Sequence, residues 1–134
     1  MSGDPLGPVV HTSHAPAAIG PYSQGRAGKL AGRWIVSSGQ VGLDPSSGTL
    51  VAGGVVAETD RAIRNLEAVL KAASASLGDV VKTTVYLADM AEFKAMNDVY
   101  ARYFPDPKPA RTTVAASGLP LSARVEIEAW AFLP

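Results

Sequence analysis

The stretch VEIEAWAF, residues 125–132, alternates two kinds of residue. Successive side chains of an extended strand leave opposite faces of its sheet. Val125, Ile127, Ala129 and Ala131 therefore form one apolar row, and Glu126, Glu128, Trp130 and Phe132 form the other. The apolar row is suited to lie beneath helices. That leaves two carboxylates and two large aromatics on the far side of the sheet. The pattern alone leaves two readings of that far side open. It is a solvated surface, or it is an interface between subunits with polar pockets at the glutamates.

Helices to cover the apolar row stand upstream. Ile63, Leu66, Leu70, Ala73 and Leu77 recur at spacings of three and four, which predicts a helix over about 57–77 with Gly78 as its left-handed cap. A second helix is predicted over about 90–104, where Phe93, Asn97, Tyr100 and Phe104 share a face. Asp89 and Glu92 have the spacing of a capping box at its start. Pro105, Pro107 and Pro109 end it and hold the chain extended toward a strand beginning at Arg111. Residues 80–87 read as a strand with Val81, Thr83 and Val85 on one face. Residues 22–41 read as two strands about a turn at Gly32. With the turn signal Asp44-Pro-Ser-Ser-Gly48 they suggest a three-stranded meander. Strands, helix, strand, helix, strands is an α+β order, with both helices on one face of a sheet.

The bulk properties exclude several functions. A chain of 134 residues fits one domain over 1–134, its first 14 residues a loose lead-in of glycine, proline and small polar residues. Lys plus Arg number 12 and Asp plus Glu number 12, so the formal net charge is zero. Such a chain has no long-range field to gather nucleic acid or an anionic membrane, and little repulsion to oppose self-association. Without cysteine there is no disulfide, thiolate metal site or thiol nucleophile. No leader-like or membrane-length apolar run is present, so a soluble, cytoplasmic protein is expected. No metal site, catalytic triad, phosphate loop or dinucleotide fingerprint occurs. His11 and His14 lack partners for a metal and read as solvated.

Three polar residues remain as candidates for chemistry. Arg111 follows a proline-rich stretch and shares a strand face with Thr113. It could present a fixed fork to a carboxylate, or simply pair with a surface glutamate. Asn97 lies on an otherwise apolar helix stripe, where an amide makes an internal bond or reaches a ligand at the helix edge. Glu126 belongs to the far face described above.

Taken together, APAAIGPYSQG (15–25), VSSGQ (36–40), GDVVKTTVYL (78–87), FKAMNDVYARYF (93–104), PARTTV (109–114), Leu119-Pro120 and VEIEA (125–129) resemble the Rid (reactive intermediate deaminase) or YjgF family. They stand in that family's order and span nearly the whole chain after the lead-in. The resemblance implies a chorismate-mutase-like α+β fold assembled as a homotrimer, with ligand sites in clefts between subunits. It implies hydrolysis of 2-imino acids, such as 2-iminopropanoate and 2-iminobutanoate, to 2-keto acids and ammonia, without a cofactor. By match, Arg111 would hold the substrate carboxylate and Glu126 would position or activate a water. Tyr22, Ser38, Gly39 and Asn97 would line the cleft. Thr113 stands where many imine-hydrolysing members carry cysteine, which bears on substrate range. Two rival functions stay open. One is a module that binds or senses 2-keto acids, which needs Arg111 but not Glu126. The other is a ribonuclease or translation inhibitor, against which the zero net charge and lack of a basic cluster argue.

Overall fold

The computed structural model describes residues 9–28 and 31–134; the first eight residues of the expected lead-in lie outside these. Nine strands and α-helices organise the described residues. They are β1 (Val9–Val10), β2 (Gly25–Arg26), β3 (Arg33–Val36), β4 (Gln40–Val41), α1 (Gly54–Ala72), β5 (Val80–Leu87), α2 (Phe93–Tyr103), β6 (Ala110–Ala115) and β7 (Val125–Leu133). The main sheet runs β3-β7-β5-β6, with β4 also paired to β7. β5 and β6 are parallel, joined through α2, while β3, β4 and β5 each pair with β7 antiparallel; an isolated parallel bridge also joins Ser23 to Ala110. Val9–Val10 pairs with Gly25–Arg26 as a separate ribbon, so the end of the lead-in is tied down rather than loose.

β7 is central and behaves as its alternation predicts. Val125, Ile127, Ala129 and Ala131 are fully buried and pack with Ile63, Leu66 and Leu70 of α1 and with Met96 and Tyr100 of α2. The buried residues of α1 are Val55, Glu58, Thr59, Ala62, Ile63, Leu66 and Leu70, a stripe at the helical period. Asn65 Nδ2 donates to the carbonyls of Val41 (3.1 Å) and Leu43 (2.8 Å) and fastens α1 to the end of β4.

Several expectations need correction. Helix α1 ends at Ala72, not near Leu77. The amide of Ala75 donates to Leu70 O and that of Ser74 to Lys71 O, with Ser74 at φ 63°. This is a Schellman closure with serine, rather than Gly78, in the left-handed position. Gly78 lies in a short 3-10 turn, Leu77–Asp79, where Asp79 accepts from the Ser76 amide at 2.8 Å. In β5 the register slips between Val80 and Lys82. Val80 therefore takes the core position expected of Val81. A 3-10 turn, Met90–Glu92, precedes α2 and is capped by Asp89, but Glu92 does not close a capping box. Its carboxylate pairs instead with Arg124, 2.5 Å away.

The meander is also replaced. β3 and β4 do not pair with each other; both run along β7. Between them Ser37, Ser38 and Gly39 bulge out of the ladder. Ser37 satisfies the interrupted edge, its amide donating to Ala129 O (2.9 Å) and its hydroxyl accepting from Ala129 N–H (3.0 Å). The turn at residues 44–48 forms as expected, with Gly48 at φ 70° and its amide on Asp44 O. Phe132 does face away from the helices, yet it is buried. Trp34 covers it at 4.6 Å between ring centroids, and Gly32 leaves room for its edge. The apolar residues left open on that face are Trp34, Val36, Val114 and Trp130.

Candidate active site

Arg111 lies beside Thr83 in the β5–β6 ladder, and Thr83 in turn lies opposite Ala129, so Arg111 projects to the helix side of the sheet. Its Nη1 donates to Asn97 Oδ1 at 2.7 Å. The position of Asn97 on the inward stripe of α2 is what aims its amide there. Three rings enclose the guanidinium: Tyr100 at 4.8 Å, Phe93 at 5.5 Å and Tyr22 at 5.6 Å from Cζ to centroid. Cation–ring contacts contribute about 0.5–2 kcal/mol, more as water is excluded.

Tyr22 arrives from a loop, and two neighbours explain how it is held. The Ser23 amide donates to Pro109 O at 3.1 Å and its hydroxyl donates to Lys108 O, which fixes Tyr22 against the chain leading into Arg111. Gln24 braces the rest of that loop. Its amide nitrogen Nε2 donates to the carbonyls of Thr12, Ala15 and Pro16, while its Oε1 accepts from Thr12 N–H. Neither Ser23 nor Gln24 stands out in the sequence, because both act through backbone atoms far along the chain.

Among the described residues no carboxylate pairs with Arg111. Burial pulls its pKa below the ordinary arginine value, and the nearby Tyr100 and Tyr22 oppose that pull. A half-buried cation with an amide on one edge, aromatic faces around it and no carboxylate partner among the described residues has the chemistry to accept a small anion. A planar carboxylate matches its remaining donors. Thr113 sits two residues on, on the same strand face; its Oγ1 is buried and without a hydrogen-bond partner.

Glu126 belongs to a different surface. It lies opposite Tyr86 on β5, on the face away from the helices. A Cβ built on Gly39 would stand 2.0 Å from Glu126 Oε2, so the carboxylate rests directly against the bulge and any side chain there would displace it. Ser38 is exposed beside it. Tyr86 donates its hydroxyl to Glu128 Oε1 at 2.8 Å, and that bond leads the causes that raise the tyrosine's pKa.

The expected site residues thus fall into two clusters. Arg111, Asn97, Tyr22 and Thr113 gather on the helix side; Glu126, Gly39 and Ser38 gather on the other. Two strands and three residues separate Arg111 from Glu126 in the ladder, about 14 Å between backbones at ordinary sheet spacings. They also point oppositely. One chain does not bring them onto one small ligand. Phe93 and Tyr100 were legible only as an apolar stripe, since nothing in their spacing shows that a strand arginine lies against it.

Comparison with known proteins gives a consistent result. Residues 12–133 match the family model described as Endoribonuclease L-PSP. A mouse protein named 2-iminobutanoate/2-iminopropanoate deaminase is 54% identical over 121 residues, 90% of this chain and 87% of that one. A putative endoribonuclease of Thermotoga maritima has a crystal structure that superposes with a TM-score of 0.74 at 44% identity, covering 96% of this chain and 99% of that one. The crystal structure of Escherichia coli TdcF with bound serine superposes with a TM-score of 0.73 at 34% identity, covering 96% and 100%.

Proposed function

From this chain's membership of the endoribonuclease L-PSP family, we propose that it hydrolyses 2-imino acids, such as 2-iminobutanoate and 2-iminopropanoate, to 2-keto acids and ammonia. The observation that carries this reading is the guanidinium of Arg111, half-buried among three rings, bonded to Asn97 and, among the described residues, without a carboxylate partner. The names of relatives such as the mouse deaminase supply the substrate class. The serine in TdcF, itself a small molecule bearing a carboxylate, fits the same receptor.

Arg111 holds the carboxylate and so fixes C2 of the substrate. Glu126 positions a water and accepts its proton as the oxygen attacks C2. The tetrahedral adduct then expels ammonia, the nitrogen receiving its proton through the same carboxylate. Imines already react with water, so orientation of the water against a fixed C2 supplies much of what is needed. A carboxylate beside an iminium also favours the protonated form that water attacks. Tyr22, Ser38, Gly39, Asn97 and Thr113 line the cleft. No cofactor takes part.

The opposed positions of Arg111 and Glu126 support an assembly in which the site lies between subunits. We place the Glu126 face of one copy against the Arg111 cluster of the next, in a homotrimer of chorismate-mutase-like type. The open aromatic and aliphatic residues Trp34, Val36 and Trp130 make that face suited to a partner. The protein acts in the cytoplasm, where dehydratases release such imines. The test is keto-acid release from a threonine or serine dehydratase reaction, with and without this protein. Faster release supports the reading. Tight 2-ketobutyrate binding without faster release would make the protein a sensor instead.

A further inference from the structure

Tyr100 is fully buried, and its hydroxyl lies 2.7 Å from Thr83 Oγ1, which is buried as well. A core tyrosine ordinarily finds such a partner. Here the bond has a further effect, because the ring it fixes is the nearest of three to the Arg111 guanidinium, 4.8 Å away. Thr83 also lies directly beside Arg111 in the sheet. The lock on the ring and the arginine therefore stand on adjacent strands. Phe104 stacks on the same ring, 4.4 Å between centroids and tilted by 26°.

We propose that Tyr100, held by Thr83, is a positioning residue for Arg111: its ring face sets the plane in which the guanidinium meets a carboxylate. The proposal rests on the reading of Arg111 as the carboxylate holder. Asn97 bonds one nitrogen, at Nη1, and a single bond leaves the guanidinium free to swing about it. Bidentate pairing needs the whole plane fixed, since both carboxylate oxygens must meet N–H groups at once. A ring face against the guanidinium removes that swing. Burial pushes the Tyr100 pKa up to about 12, so the phenol stays neutral and leaves the arginine's charge for the ligand.

Two readouts test this, one without any ligand. Ring current from Tyr100 should displace the Arg111 Nε–Hε signal in the NMR spectrum of the free protein. Tyr100→Phe keeps the ring but removes its bond to Thr83; the signal should be partly averaged rather than lost, and 2-ketobutyrate affinity should fall by about threefold, less than on losing the ring. Tyr100→Leu removes the ring; the signal should return toward the ordinary arginine position. Affinity for 2-ketobutyrate should fall about tenfold or more, and KM for 2-iminopropanoate should rise with it. If Tyr100→Leu does not fold, the double variant Thr83→Val with Tyr100→Phe replaces both hydroxyl partners by apolar groups of like shape and should fold. With the ring present but unlocked, its Arg111 signal should be averaged and its KM raised. A folded Tyr100→Leu, or failing that the folded double variant, that keeps both the wild-type signal and wild-type affinity overturns the proposal. A wild-type chain that neither binds 2-ketobutyrate nor turns over 2-iminopropanoate defeats the carboxylate reading instead, while the ligand-free signal still decides whether the ring holds the arginine.

Discussion

Arg111, Glu126 and Gly39 can be separated by substitution because each contributes something the others do not. Arg111→Lys keeps a positive charge but loses the planar fork, so ligand affinity and turnover should fall together; calorimetric titration with 2-ketobutyrate beside the coupled assay checks both. Glu126→Gln keeps shape and removes the base. Binding should survive while turnover falls on the order of a hundredfold or more. Gly39→Ala tests the contact between the bulge and Glu126. Its methyl would stand 2.0 Å from Oε2, so the carboxylate must move. Turnover should fall on the order of tenfold to a hundredfold with affinity for the keto acid changed less, the signature of a misplaced catalytic group. Thr113→Cys should leave hydrolysis intact or faster, and loss of activity there would show that the hydroxyl is required. Arg111, Asn97 and Glu126 were legible in the sequence as polar residues in marked positions. The cage of Phe93 and Tyr100 was not, because packing between α2 and β6 leaves no trace in the spacing of either segment.

The end of α1 shows how element boundaries escape a sequence reading. Ala73 and Leu77 continue the apolar stripe, so the period runs past the true end, and the next glycine looks like the stop. The chain instead turns at Ser74, whose φ is 63°. A non-glycine residue there carries a steric cost that glycine lacks. Ser74→Gly should therefore stabilise the protein by about 0.5–1 kcal/mol in urea unfolding, the size of effect a compatible glycine gives at such a position. Gly78→Ala should be nearly neutral, since a Cβ there meets Ser76 Oγ at 3.6 Å and Pro105 Cγ at 3.7 Å, ordinary contacts. The reverse pair of results would restore Gly78 as the cap. The strands were read better where alternation is strict, as in β7. They were read worse where a bulge shifts the count, as at Val80 and at Ser37–Gly39, because an extra residue exchanges the two faces without changing composition.

At the scale of the whole molecule, the choice of the helix-covered face was legible from β7, and the α+β order from the succession of helical stripes and alternating runs. The relation between β3 and β4 was not, since strand partners far apart in sequence are set by the entire sheet. The proposed homotrimer should scatter light as about three chain masses at micromolar concentration. Trp130→Glu, a charge placed on the proposed interface, should shift it toward one chain mass and abolish turnover with it. The same face carries its own reporter. The chain has two tryptophans, Trp34 and Trp130, and they sit together on the open side of the sheet, edge to face with centroids 6.2 Å apart. Both are partly exposed, at 43% and 45% of their surface. All of the intrinsic indole fluorescence therefore originates at that surface, and none arises in the core. Covering it with another chain should shift the emission to shorter wavelength and shield it from acrylamide. Dilution should reverse both changes, so subunit exchange can be followed in real time on the unlabelled protein.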